Sequence, residues 1–184
     1  MPAARDPAVR ATLRAVSAAL LLAVALLPSA AGVASSAAWN SEPFPLEPVA
    51  VVRQTHPLSC GAATLATLST WLGTPRTEEE LLAQAQVGPA GMTLSEFARL
   101  AHQIELPGTW YSVSHRQLHH VPTPFAAHLS GDDGSPEPGH LVAVAGVAHD
   151  YVTVADPATG AFVLPLRSFA QRFSGRVYVL EERE

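Results

Sequence analysis

Along this chain the spacing of apolar residues changes near position 108. Before it, apolar side chains return every three or four positions, as one face of a helix requires. After it, they alternate or run in short unbroken blocks, as strands require. A β-type run at Val49–Arg53 leads into a turn with His56 and Pro57. From Cys60 or Gly61 to about Leu72, the stripe Leu65, Leu68 and Leu72 predicts a helix, closed by Gly73 and Pro75. Thr77 with Glu80 forms a capping box for a second helix to about Gln86, stopped at Gly88–Pro89. Thr93 with Glu96 repeats the device for a third, with Phe97, Leu100, Ala101 and Ile104 as its apolar face, closed at Pro107–Gly108.

In the second half, Thr109–Val113, Phe125–Leu129, His140–Val147, Tyr151–Ala155, Ala161–Leu164 and Arg176–Leu180 read as strands between Gly, Pro and Asp turns. Ser168–Phe173 adds one helical turn. Helices first and a mostly antiparallel sheet second describe an α+β domain, expected over residues 49–181.

The N-terminus follows a different plan. Arg5, Arg10 and Arg14 precede Ala15–Leu27, a run of uncharged, mostly apolar residues; Pro28 breaks it, and small residues follow to Ala38. This three-part order predicts a secretory signal peptide over residues 1–38, with an uncleaved membrane anchor as the alternative; the apolar run is short for a membrane span. Residues 39–48, with Pro43, Pro45 and Pro48, read as an extended leader. The expectation is an exported, periplasmic or otherwise extracytoplasmic protein, touching membrane only through the N-terminal segment if that segment stays uncleaved.

With 184 residues, 48% of them apolar and 15% charged, the protein can bury one core of ordinary size. Every cation is an arginine, and past residue 38 eight arginines face fifteen acids with no basic run. Nucleic acid is therefore not an expected partner, since phosphate neutralisation needs clustered cations. The cysteine count is one. A single thiol cannot close an internal bridge, so Cys60 is either a buried apolar filler or a working nucleophile.

Its position favours work. At the first turn of a helix, unpaired N–H groups and the positive end of the dipole stabilise thiolate over thiol. Gln54, six residues upstream, offers an amide donor on the approach to that helix end. A thiol also needs a base, and the base an orienting acceptor. Of eight histidines, His140 stands out: it opens the continuously apolar strand of GHLVAVAGV. The next strand, YVTVAD, ends at Asp156. If the two pair as a hairpin through Ala148–Asp150, the start of one lies beside the end of the other, and His140 meets Asp156. His119, His120 and His128 with Asp132 and Asp133 raise a metal site, but no ligand spacing supports it.

Gln54, then Cys60-Gly61 opening a helix, then Gly139-His140 before an apolar strand, then Asp156-Pro157, resembles the bacteriocin-processing peptidase family. Those are papain-like cysteine peptidases that cut peptides after a double-glycine leader. The likeness spans about Val49 to Leu180. It implies a papain-like fold, Cys60 as nucleophile, His140 as general base, Asp156 as orienter of the imidazole and Gln54 as oxyanion donor, with no metal or organic cofactor. It also implies a peptide or protein substrate and a link to secretion machinery. Two features depart from the pattern: Ser59 stands where the family commonly has Asp, and neither transporter helices nor a P-loop are found in the sequence. A stand-alone exported endopeptidase is the leading expectation. A non-cleaving leader-binding or export-accessory module, and a papain-type acyl transferase or amidase, are the alternatives.

Overall fold

The computed structural model describes residues 49–131 and 139–181. The expected leader (1–38), the Pro-rich segment (39–48) and Asp132 and Asp133 lie outside them. Three helices come first: α1 (Cys60–Trp71), α2 (Glu78–Leu82) and α3 (Leu94–Gln103). There follow β1 (Gly108–Ser112), a 3-10 turn (His115–His120), β2 (Phe125–Leu129), β3 (His140–Ala148), β4 (Tyr151–Asp156), β5 (Gly160–Pro165), α4 (Leu166–Arg172) and β6 (Phe173–Leu180). The strands form one six-stranded sheet in the order β1-β6-β2-β3-β4-β5, antiparallel throughout. The α+β reading holds. Among these residues no helix is long and apolar enough to cross a membrane.

Alternation along the strands divides the core. Ala126, Leu141, Ala143, Ala155 and Tyr178 face the helices, packed with Leu65, Leu68, Phe97 and Leu100. Phe125, Ala127, Val142, Val144, Val152, Val154 and Val177 fill the other face beneath α4 and the 3-10 turn, with Leu118, Leu166 and Phe169. The small alanines on the first face let α1 lie close to the sheet. Phe97 meets Trp110 and Tyr178 edge-on, and those two rings are tilted against each other, with all centroids 5.2–5.4 Å apart, locking α3 to β1 and β6.

The structure departs from the sequence reading in several places. Val49–Arg53 joins no strand: the Val52 N–H is taken by Thr67 Oγ1 (3.0 Å), the Ala50 carbonyl by the Trp71 indole (2.8 Å) and the Gln54 N–H by the Pro157 carbonyl (3.0 Å). This segment covers α1 instead of extending the sheet. With sheet, helices and that segment around it, α1 is buried on every side from Cys60 to Ser69, not along one stripe. Leu72, beyond its end, is 37% exposed. Gly73 (φ 77°) supplies the left-handed residue that ends the helix. The second helix stops at Leu82, short of Gln86, because the Gln86 N–H is bonded by the Glu96 carboxylate (2.6 Å). That bond, with the Arg99 salt bridge, also occupies the carboxylate expected to complete the capping box at Thr93; only the Thr93 half forms.

Candidate active site

The turn before α1 is held from both sides. Ser59 Oγ donates to the His56 carbonyl (2.8 Å) and accepts from the His56 N–H (3.1 Å). Its side chain therefore does not cap the helix, and the first-turn N–H groups keep their free face. Glu78, buried at the start of α2, accepts the Thr55 N–H on both carboxylate oxygens (3.0 Å each). Behind Cys60, Thr64 Oγ1 donates to the Leu141 carbonyl (2.9 Å), tying the helix to the first residues of β3. Nucleophile and base thus sit on two elements stapled together one turn away.

The hairpin brings the base to its acceptor. Its tight turn places His149 at φ 53°, with Ala148 opposite Tyr151. An irregularity between Val144 and Gly146 shifts the register, after which Ala143 lies opposite Ala155. Beyond that pair, the side chains of Asp156, one residue on, and His140, three residues back, reach each other, with Asp156 Oδ1 2.8 Å from His140 Nε2. The same oxygen accepts the N–H groups of Ala158 (2.7 Å) and Thr159 (3.3 Å), so it is aimed before any proton moves. With Nε2 engaged, Nδ1 is the ring nitrogen left for the Cys60 thiol, to which the imidazole is hydrogen-bonded.

Electrostatics follow from this row. Burial pushes the Cys60 thiol up, but the His140 hydrogen bond, backbone hydrogen bonds with Leu141 and Gly61, and the imidazolium charge bring it below its ordinary value. Burial pulls His140 down; the hydrogen bonds and charges of Asp156 and Cys60 more than reverse this and raise it to about 9. Asp156, although burial opposes ionisation, is held below its usual range by the His140 imidazolium and the turn N–H groups. At neutral pH these directions favour a thiolate–imidazolium pair backed by a carboxylate.

Cys60, only 8% exposed, opens onto a groove of about 450 Å³. Leu58, Ala90, Gly91, Met92 and Leu94 line its helical side; His128, Gly131, Gly139 and Arg172 line the sheet side. The structure therefore brings Cys60, His140 and Asp156 together. Gln54 stands behind the turn: its Nε2 donates to the His56 carbonyl (2.9 Å) and, more weakly, to that of Pro57 (3.4 Å). Its Oε1 is buried with no hydrogen-bond partner among the described residues. His119 and His120 are exposed on the 3-10 turn, apart from His128 in the groove. The sequence reading raised His128 only as a metal ligand with His119 and His120, not as a residue of the peptidase groove; the signal for the groove was its place two positions after Ala126, on the helix-covered face of β2.

Residues 48–184 match the family model described as the peptidase C39 family. The chain belongs to the peptidase C39 family. Its fold and membership make it a cysteine peptidase domain. An uncharacterized protein of Methanothermobacter marburgensis is 30% identical over 136 residues, covering 73% of this chain and 89% of its own length. A double glycine motif protease from an AMS/PCAT transporter, solved in complex with its leader peptide, superposes with a TM-score of 0.65 at 23% identity, over 73% of this chain and 92% of that one. The peptidase domain of Streptococcus ComA, a bifunctional ABC transporter of a quorum-sensing pathway, gives 0.66 at 17% identity, over 73% and 99%. A C39-like peptidase from Bacillus anthracis gives 0.58 at 15%, over 74% and 96%.

Proposed function

We propose that this C39 peptidase is an exported endopeptidase in which Cys60, His140 and Asp156 carry the reaction on a peptide with a Gly-Gly-type leader. The observation that carries the reading is the hydrogen-bonded row of thiol, imidazole and carboxylate at an uncapped helix N-terminus in an open groove. The Cys60 sulfur attacks the scissile carbonyl carbon and forms a thioester as the C–N bond breaks. His140 gives its Nδ1 proton to the leaving nitrogen, then takes one from the water that hydrolyses the thioester. Asp156 keeps the ring oriented and stabilises the imidazolium. The Cys60 N–H and the Gln54 amide hold the oxyanion; for Gln54 this requires one N–H to leave its long contact with the Pro57 carbonyl.

The leader preference is supported by the related protease solved with its leader peptide, and export by the basic-then-apolar N-terminal sequence. The test is mass spectrometry of synthetic peptides spanning a Gly-Gly bond, incubated with the protein and with a Cys60→Ala variant. Cleavage after Gly-Gly by the first alone supports the reading. Intact peptide with an alkylatable Cys60 would leave a thiol module without this activity and overturn it.

A further inference from the structure

His128 sits at the end of β2, opposite Leu141 in the register, with its ring in the groove on the sheet side of His140. Two hydrogen bonds decide which of its nitrogens carries the proton. Ser174 Oγ lies 2.9 Å from the His128 carbonyl, which can only accept, so the single hydroxyl proton of Ser174 is spent there. Ser174 Oγ is also 2.8 Å from His128 Nδ1, and with no proton left to give it must accept one. Nδ1 is therefore the protonated nitrogen. In the neutral ring, Nε2 carries a lone pair. Burial first, then the charges of His140 and of Arg176, lower the ring's proton affinity and keep it neutral.

Nε2 lies against Gly139, where a β-carbon would collide with both Nε2 and Cε1. Glycine at 139 is thus what lets the ring rest beside the main chain leading to His140. Among the described residues no hydrogen bond to Nε2 is found, and the ring lines the groove. The result is a fixed acceptor beside the proton donor of the reaction. His140 must reach the leaving nitrogen, so the part of the substrate that follows the scissile bond passes on the imidazole's side of the groove, where His128 stands.

We propose that His128 Nε2 accepts a backbone N–H of the substrate on the leaving-group side of the scissile bond, making His128 a substrate-binding residue of the peptidase. The inference rests on the peptidase reading above. It explains the pairing of Gly139 with His128 and the tautomer set by Ser174.

The test compares two substrates of the full-length protein. One is an internally quenched peptide with residues on both sides of a Gly-Gly bond. The other carries the same acyl half joined to aminomethylcoumarin, and so has no peptide N–H beyond the leaving nitrogen. The readout is the ratio of kcat/KM for the peptide to that for the coumarin amide. In His128→Ala this ratio is expected to fall about tenfold, chiefly through KM, the scale of one net hydrogen bond. Gly139→Ala, which displaces the ring without removing it, is expected to lower it too. A ratio unchanged in both variants, or an equal loss on both substrates, overturns the proposal and leaves the peptidase reading standing. A native protein that cleaves neither substrate overturns both.

Discussion

Replacing Asp156 by Asn tests the proposed chemistry most directly, because it changes a charge and almost nothing else. The carboxylate lies 2.8 Å from His140 Nε2 and is the first cause that raises the imidazole against burial, to about 9. An opposite charge this close is worth about one to three pH units, so the variant's His140 should titrate between about 6 and 8. His140 must carry a proton when the leaving nitrogen departs, so its deprotonation sets the alkaline limb of kcat/KM. In the native protein that limb should fall near 9; in Asp156→Asn it should move to lower pH. At pH 8.5 the protonated fraction drops from about three quarters to about a quarter at most, and well under a hundredth at the lower end. The thiolate–imidazolium pair weakens with it, so iodoacetamide should alkylate Cys60 more slowly at pH 7. The assay is a pH series of kcat/KM on a Gly-Gly peptide, with alkylation rates alongside. An alkaline limb that stays near 9 in the variant would mean that Asp156 does not tune His140, and the electrostatic argument fails.

Other outcomes follow from single contacts. Gln54→Ala should lower kcat by about 10²–10³ with little change in KM if the amide holds the oxyanion, and steady-state kinetics read that split. Thr64→Val removes the bond from α1 to the Leu141 carbonyl and should cost about 1–2 kcal/mol in urea unfolding. Phe97→Ala opens a cavity against Trp110 and Tyr178 and should cost about 3–5 kcal/mol by the same measure. Stability should also follow the site's charges. His140 is raised, so its contribution is complete below its unfolded value near 6.5 and fades as pH climbs through about 9. Asp156 is lowered, so its contribution is present above 3.8 and lost as pH falls below that value. Melting temperatures across pH 3–10 check both, and Asp156→Asn should flatten the acid side.

Local signals were enough for much of this protein. Leu65 and Leu68 at helical spacing, the Thr77–Glu80 box and the strand of GHLVAVAGV are short-range patterns, and short-range forces honour them. The meeting of His140 and Asp156 was also readable, because an antiparallel hairpin folds back on itself and needs no distant partner. Long-range competition decided the rest. Val49–Arg53 has the composition of a strand, yet its backbone groups are claimed by Thr67 and Trp71 of α1, and the N–H of Gln54 that follows is held by Pro157, about a hundred positions away. Glu96 had the spacing to close a capping box, and lost its carboxylate to Gln86 and Arg99. His128 read only as a weak metal-ligand candidate until β2 was placed between β3 and β6, which set its ring against Gly139 and its Nδ1 against Ser174. Residue identity and spacing determined which groups could do chemistry. Only the folded arrangement decided where their lone pairs and protons point, because that depends on partners that sequence distance conceals.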